Sequence, residues 1–185
     1  EVELELLNRV IPEYRSAAAR GQIEIAASPF YHPILPLLCD SDIYLRTHPD
    51  ARRPREPFVH PEDAAEQLQR AVACHERLFG ARPVGLWPSE GSVSDAMVPL
   101  AAAAGFTWMA TDELILARTL GITFTRDDRG QVEQPDRLYA PYRVGGEAGM
   151  ACAFRDHVLS DLIGFTYANW DPQVAADDLV RRLVE

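Results

Sequence analysis

The sequence contains no lysine, so all 18 of its basic residues are arginine. Without lysine, the chain can form neither a Walker-type phosphate loop nor a Schiff-base nucleophile. Acidic residues number 28 and the net charge is −10, which argues against nucleic acid or an anionic membrane surface as the main partner. No run approaches the ~18 apolar residues of a membrane helix, and the N-terminus has no signal-like segment. These features predict a cytoplasmic protein.

Metal-binding and disulfide patterns are also missing. The three cysteines, Cys39, Cys74 and Cys152, are too scattered for a disulfide framework or a zinc site, and we expect them to be buried. The five histidines form no His-x-x-x-His pair and no His-Glu-x-x-His motif. A Gly-x-Ser-x-Gly elbow and a glycine-rich dinucleotide fingerprint are absent as well. We therefore predict neither a metal nor a cofactor.

Helical and strand patterns alternate along the chain. The spacing of apolar residues and the positions of Gly and Pro predict helices at 2–20, 34–38, 61–79, 94–105, 112–120, 158–163 and 172–184. Strands are predicted at 22–27, 83–87, 106–110 and 149–154, and the polar segment 126–145 is predicted to be a loop. This order predicts an α/β fold with a parallel sheet, either an open doubly wound sheet or a β/α barrel.

A cluster of ionisable or aromatic residues follows each predicted strand. The four clusters are Ser28–His32, Trp87–Ser92, Thr111–Glu113 and Arg155–His157. In parallel α/β folds, ligands bind at the carboxyl ends of the strands. The clusters therefore favour an enzyme or a small-ligand binding protein over an inert scaffold.

Several of these residues also have a purely structural interpretation. Asp112 is well placed to cap the helix that follows it, and Arg155 and Asp156 could form structural ion pairs. His32 could be a hydrogen-bonded core histidine, and Trp108 is predicted to lie in the core. Glu90 has no such role, because it lies between Ser89 and Gly91 and the next helix is predicted to begin only at residue 94. Carboxylates, aromatic rings, arginine and histidine together are typical of a carbohydrate site.

Four stretches resemble glycoside hydrolase family 57, in the form seen in its amylopullulanase and α-amylase branch. Gly21–Ile25 with Phe30–Leu37 resembles the second signature region of that family, and Gly85–Val93 resembles the third. Gly105–Glu113 and Phe154–Phe165 are similar to stretches that follow in the same branch. The resemblance covers residues 21–185.

The resemblance implies part of an incomplete (β/α)7 barrel that acts on α-glucans such as starch, glycogen, maltooligosaccharides or pullulan, with retention of anomeric configuration and without a metal. By motif match, Glu90 is the nucleophile. The same match places six residues in the substrate site: Glu24, His32, Trp87, Arg155, Asp156 and His157.

The chain departs from the family pattern at the general acid/base. In the family this residue is an Asp in an Asp-Gly-Glu-Asn motif that follows the Phe-Arg-Asp-His stretch, and the sequence does not contain that motif. We expect it beyond residue 185, with residues 1–185 forming a partial catalytic barrel domain that lacks the first and the later strands. The resemblance supports neither Asp112 nor Asp156 as a substitute, so this segment alone is expected to be weakly active or inactive. An unpaired sheet edge could also favour self-association.

Three functional alternatives remain open from the sequence. The enzyme could be a hydrolase or a 4-α-glucanotransferase, depending on whether water or a sugar hydroxyl enters the second step. The chain could instead be a non-catalytic carbohydrate-binding remnant, since its acid/base motif is missing. A metal-dependent polysaccharide deacetylase has a similar barrel, but it needs an Asp with two closely spaced His residues, a pattern we do not find.

Overall fold

The computed structural model describes residues 2–146 and 149–184, in which helices and strands alternate. The helices are α1 (Val2–Ala19), α2 (Leu35–Cys39), α3 (Pro61–Phe79), α4 (Met97–Ala103), α5 (Glu113–Leu120), α6 (Pro135–Leu138), α7 (His157–Gly164) and α8 (Pro172–Val184). The strands are β1 (Gly85–Leu86), β2 (Trp108–Asp112), β3 (Tyr142–Val144) and β4 (Met150–Arg155). Short 3-10 turns occupy Ser41–Arg46, Ser89–Gly91 and Thr166–Asn169. The predicted α/β class is confirmed.

The four strands form one sheet in the order β1-β2-β4-β3. Strands β1 and β2 pair in parallel, with Gly85 opposite Trp108 and Leu86 opposite Met109. Ala27 extends this arrangement through an isolated parallel bridge to Leu86. The parallel pairing agrees with the prediction, whereas closure into a barrel remains a prediction.

The predicted strand at residues 22–27 is wrong except at Ala27. The alternation of polar and apolar residues there is typical of a strand, but the backbone forms no ladder before Ala27. Instead, the carbonyl oxygen of Ile25 lies 3.0 Å from Nε2 of His75, a side chain of α3. Strand β1 is also shorter than predicted, because Pro83 and Pro88 flank it and have no N–H for a ladder.

Helix α3 has the bounds that its sequence predicts. It begins at Pro61, carries Glu62 in its first turn, and ends at Gly80, which adopts a left-handed conformation with φ of 79°. Its buried residues recur at helical spacing: Ala64, Leu68, Ala71, Val72 and His75. Helix α3 packs against α1, α2 and α4. Burial of one leucine such as Leu68 stabilises the fold by about 1.5–3 kcal/mol.

The segment 126–145, predicted to be a loop, contains α6 and β3. Pro135 begins this four-residue helix, whose Leu138 is fully buried. A helix and a strand this short do not show a recognisable periodicity of apolar residues within a polar segment. Their position is instead fixed by packing, since Leu138 clusters with Leu116 and Val132.

The fold comprises two compact units. The first consists of residues 2–110, 143–146 and 149–152, and the second of residues 111–142 and 153–184. The buried residues of the first unit include Leu35, Leu68, Leu86, Met97 and Phe106. In the second unit, partly buried Phe124, Tyr142 and Phe154 surround the cluster at Leu138. Each unit therefore has apolar packing of its own.

The cysteines differ in their burial. Cys39 and Cys152 are buried as expected, whereas Cys74 is only half-buried, so the prediction fails there. Burial raises the pKa of the Cys39 thiol and raises that of Cys152 to about 11. None of the helices in the described part of the chain is both long enough and apolar enough to cross a bilayer.

Candidate functional site

Glu90 lies in a strained turn directly after β1. Its φ and ψ are 55° and 22°, and Gly91 follows with φ of 65°. The turn is closed by Gly91, whose N–H donates to the Pro88 carbonyl at 2.9 Å. Ser89 and Gly91 are buried, whereas the Glu90 side chain is 74% exposed. The turn thus presents the carboxylate to solvent while its neighbours anchor the backbone.

His32 is the residue that the fold places beside Glu90. Its Nε2 lies 3.9 Å from Oε1 of Glu90. Within residues 2–146 and 149–184, His32 and Glu90 are the only residues other than glycine with a positive φ. The φ of His32 is 58°. A left-handed backbone conformation costs about 1–3 kcal/mol at each residue other than glycine, and residues strained in this way cluster at functional sites. Two different sequence motifs therefore meet at a pair of strained residues.

Glu24 contacts a different partner. Trp108, which the sequence analysis placed in the core, is only half-buried, and its Nε1 donates to Oε1 of Glu24 at 2.6 Å. Glu24 precedes the bridge at Ala27, whereas His32 follows it. Among the described residues, no hydrogen bond or ion pair joins Glu24 to Glu90. The tertiary structure therefore gives Trp108 a polar role that its sequence context did not indicate.

Trp87 links the Glu90 turn to the segment that precedes His32. Its backbone N–H donates to the Ala27 carbonyl at 2.8 Å, and its side chain is half-buried. A half-buried indole is an apolar surface on which a sugar ring can stack. Trp87 is thus placed on the first unit together with Glu24, His32 and Glu90.

In the second unit, Arg155 and His157 meet at the carboxylate of Asp112. Arg155 Nε donates to Asp112 Oδ2 at 2.7 Å, and His157 Nδ1 lies 3.2 Å from the same oxygen. The other ring nitrogen of His157 lies 3.1 Å from Oδ2 of Asp161. Asp112 also accepts the N–H of Leu114 and so caps α5, which confirms its structural interpretation.

Asp156 is the centre of a second charge cluster. It caps α7 by accepting the Leu159 N–H at 2.9 Å, and it accepts further bonds from Arg126 and from the Tyr139 hydroxyl, each at 2.8 Å. Arg126 also donates to Glu113 at 2.7 Å. The interpretation as structural ion pairs is confirmed for Asp156. Sequence reasoning missed Arg126 and Tyr139 because both lie in the segment predicted to be a loop.

The electrostatics of these clusters disfavour a proton donor in the second unit. Burial alone would raise the pKa of Asp112 and of Asp156, but hydrogen bonds from backbone N–H groups and from Arg155 or Arg126 outweigh it and lower both. A general acid needs a raised pKa, so neither carboxyl group suits that role. Burial and the bond to Asp156 raise the pKa of Tyr139 to about 12.

Because the pKa of Asp156 is lower in the folded than in the unfolded state, its contribution to stability depends on pH. The contribution is complete above the unfolded pKa of about 3.9 and is lost as the pH falls through the folded value. We expect Asp156→Asn to lower the free energy of unfolding at pH 7, with the difference from the unaltered protein narrowing below about pH 4. Urea unfolding at pH 7, 5 and 3.5 measures this difference, with Asp95→Asn as the exposed control. A difference in the free energy of unfolding that stays constant from pH 7 to pH 3.5 would contradict the expectation.

The chain belongs to glycosyl hydrolase family 57, whose sequence profile matches residues 2–185. This match confirms the resemblance to the family, whereas the branch within the family stays a prediction. Among curated proteins, no sequence matches the chain significantly. Within the described ranges, no group of three or more His, Cys, Asp or Glu side chains is placed to hold a metal ion.

Solved structures with a similar fold include three enzymes. The 4-α-glucanotransferase from Thermococcus litoralis is 22% identical with a TM-score of 0.59, and the match covers 97% of this chain and 23% of that enzyme. The α-amylase AmyC from Thermotoga maritima is 17% identical with a TM-score of 0.58, over 88% of this chain and 25% of AmyC. A branching enzyme from Thermococcus kodakaraensis is 16% identical with a TM-score of 0.57, and the match covers 88% of this chain and 29% of that enzyme. The chain thus spans about a quarter of the length of these enzymes.

Proposed function

We propose that the protein is a cytoplasmic retaining glycoside hydrolase or transglycosylase that acts on α-glucans with Glu90 as its nucleophile. The observation that carries the proposal is the exposed Glu90 carboxylate, held on left-handed backbone 3.9 Å from His32. Membership of family 57 supports the reaction class. The names of the glucanotransferase, amylase and branching enzyme support an α-glucan substrate.

The chemistry assigned to Glu90 is a double displacement. In the first step a Glu90 oxygen bonds to the anomeric carbon, while the bond to the leaving oxygen breaks and that oxygen takes a proton from a general acid. The glycosyl ester is then broken by water, which gives hydrolysis, or by a sugar hydroxyl, which gives transfer. The exposure of Glu90 suits this role, because the attacking oxygen must be reachable by the sugar. His32 is close enough to orient the carboxylate or to bond a substrate hydroxyl.

The general acid must lie about 5–5.5 Å from the nucleophile. The carboxyl groups of Asp112 and Asp156 have lowered pKa values and cap helices, so we assign the role of general acid to neither. The family resemblance assigns it to an Asp-Gly-Glu-Asn motif, which this sequence lacks. We propose that residues 1–185 are part of a catalytic domain, an incomplete (β/α)7 barrel, and that full activity needs the acid. Loss of the acid alone costs about 10²–10⁴-fold in rate.

The remaining residues of the proposed site would bind the glucan. Trp87 offers a stacking surface, whereas Glu24, Arg155 and His157 offer charged hydrogen-bonding groups of the kind that hold sugar hydroxyls. Asp156, whose carboxylate already accepts three bonds, would act by fixing the start of α7.

A covalent trap tests the proposal. The protein is incubated with a fluorinated α-glucosyl fluoride, whose good leaving group needs no general acid and whose ring fluorine slows the second step. Peptide mass spectrometry should then find the added sugar on Glu90. In the Glu90→Gln variant the adduct should be absent.

Glu62→Gln is a matched control for the trap. Glu62 is an exposed carboxylate whose Oε1 lies 2.7 Å from a histidine, His60, so it reproduces a glutamate–histidine pair away from the Glu90 turn. This variant should be labelled normally. An adduct on another residue, or maltooligosaccharide binding without any adduct, would contradict the nucleophile. The second outcome would favour the carbohydrate-binding alternative.

A further inference from the structure

The indole of Trp108 reaches across strand β1 to Glu24. Trp108 lies opposite Gly85 in the parallel pairing of β1 and β2, and β1 is bridged on its other side to Ala27. Neighbouring strands are about 4.8 Å apart, so a side chain of β2 must span the width of β1 to reach the segment that precedes Ala27. Trp108 does so, because its Nε1 donates to Oε1 of Glu24 at 2.6 Å.

Gly85 provides the space for this crossing. A Cβ atom at position 85 would lie 2.2 Å from Cζ2 and 2.4 Å from Cε2 of Trp108. Both distances are far below van der Waals contact, and the atoms belong to a rigid ring that cannot bend aside. The backbone of Gly85 is not left-handed, so the reason for glycine here is space rather than conformation. Any other residue at position 85 must displace the indole from Glu24.

The backbone beside Glu24 is anchored separately from its side chain. The buried imidazole of His75 has Nε2 at 3.0 Å from the Ile25 carbonyl and Nδ1 at 2.8 Å from the Ala81 carbonyl. The main chain next to Glu24 is thus held from α3, and the carboxylate itself is held from β2. Two restraints from different elements fix both the position and the orientation of an otherwise exposed side chain.

We infer that Trp108 is a positioning residue that holds the Glu24 carboxylate ready for a hydroxyl group of the glucan, with Gly85 as the residue that admits the indole. This inference rests on the proposed function, in which Glu24 contacts the substrate. An unrestrained glutamate side chain loses rotamer freedom when it binds a ligand, and that loss weakens binding. A carboxylate already fixed by an N–H donor avoids most of this cost.

A double-mutant cycle on kcat/KM for an α-glucosyl fluoride, whose leaving group needs no general acid, tests the inference. Trp108→Phe retains a ring over Gly85 but removes the N–H donor, and kcat/KM should fall about tenfold, mainly through KM. Gly85→Ala should lower it at least as much. Glu24→Ala should lower it too, and adding Trp108→Phe to Glu24→Ala should then change it little, because the side chain being positioned is gone. Trp170→Phe, a substitution in the second unit, is the matched control and should leave kcat/KM unchanged.

The indole N–H signals provide a readout that does not depend on activity. In a ¹⁵N-labelled protein, the signal lost in Trp108→Phe belongs to Trp108. That signal should lie downfield in the unaltered protein and move upfield in Glu24→Ala, while the signals of the other two tryptophans stay in place. A Trp108 signal that does not shift in Glu24→Ala overturns the hydrogen bond, and with it the inference.

Failure of the inference and failure of the proposed function give different results. If Glu90→Gln abolishes turnover while Trp108→Phe leaves kcat/KM unchanged, the proposed function stands and the positioning role is overturned. The same holds if the effects of Trp108→Phe and Glu24→Ala are additive. If the unaltered protein neither releases fluoride from an α-glucosyl fluoride nor forms a glycosyl adduct, the proposed function is overturned and the inference falls with it.

Discussion

Replacement of Glu90 by glutamine should lower kcat on an α-glucosyl fluoride, whose leaving group needs no general acid, by on the order of 10⁴-fold or more, because an amide cannot attack the anomeric carbon. Glutamine has the same shape as glutamate, so KM should change little. The left-handed turn should also survive, since its buried residues are Ser89 and Gly91 rather than the exposed Glu90. Steady-state kinetics of the variant, beside circular dichroism to verify the fold, measure the effect.

Rescue by azide distinguishes loss of the nucleophile from loss of the folded structure. In Glu90→Ala, azide can occupy the vacated space and attack an α-glucosyl fluoride directly, releasing fluoride. One displacement inverts the anomeric carbon, so the product should be a β-glucosyl azide. Glu62→Gln should retain normal kcat and should form no azide product. A Glu90→Gln variant with normal kcat, or an α-configured azide from Glu90→Ala, would disprove the assignment.

The second large effect concerns stability. Arg126→Ala should lower the free energy of unfolding by about 3–5 kcal/mol, because it leaves the carboxylates of Glu113 and Asp156 buried without their cation. The side chains of Arg126, Glu113 and Asp156 are only 15%, 7% and 6% exposed, so water cannot replace the guanidinium easily. Urea unfolding at pH 7, followed by circular dichroism, measures the change.

The control for this prediction is an ion pair on the surface. Arg9 bonds Glu13 at 3.2 Å with both side chains 62% exposed, so Arg9→Ala should cost less than about 0.5 kcal/mol. If Arg126→Ala proved as mild as Arg9→Ala, the buried cluster would contribute nothing beyond a surface pair. The conclusion that Asp156 and Glu113 depend on Arg126 would then be wrong.

The candidate site could be predicted from sequence where its signals are local. Glu90 is recognisable because a carboxylate between Ser89 and Gly91 has no capping role, and because the surrounding motif resembles family 57. The capping role of Asp112 is also predictable from the sequence, since a helix cap depends on nearby residues. In both cases the information lies within a few residues of the position.

Contacts over long sequence separations could not be predicted in this way. The approach of His32 to Glu90, the bond from Trp108 to Glu24 and the burial of Arg126 join residues that are 30 to 84 positions apart or lie in a segment without periodicity. The prediction of a strand at residues 22–27 is wrong for a related reason. Its backbone at Ile25 is satisfied by the distant side chain of His75 rather than by a neighbouring strand.

The sequence by itself determined the α/β class, most helix bounds, the family and the identity of the candidate nucleophile, because periodicity, caps and motifs are properties of consecutive residues. Only the tertiary structure decided which partner each polar side chain has. That choice depends on strand pairing and helix packing, which bring an indole of one strand over the glycine of the next and place a histidine within 4 Å of Glu90. A hydrogen bond forms with whichever group the fold brings within reach, and the order of residues along the chain does not encode that distance.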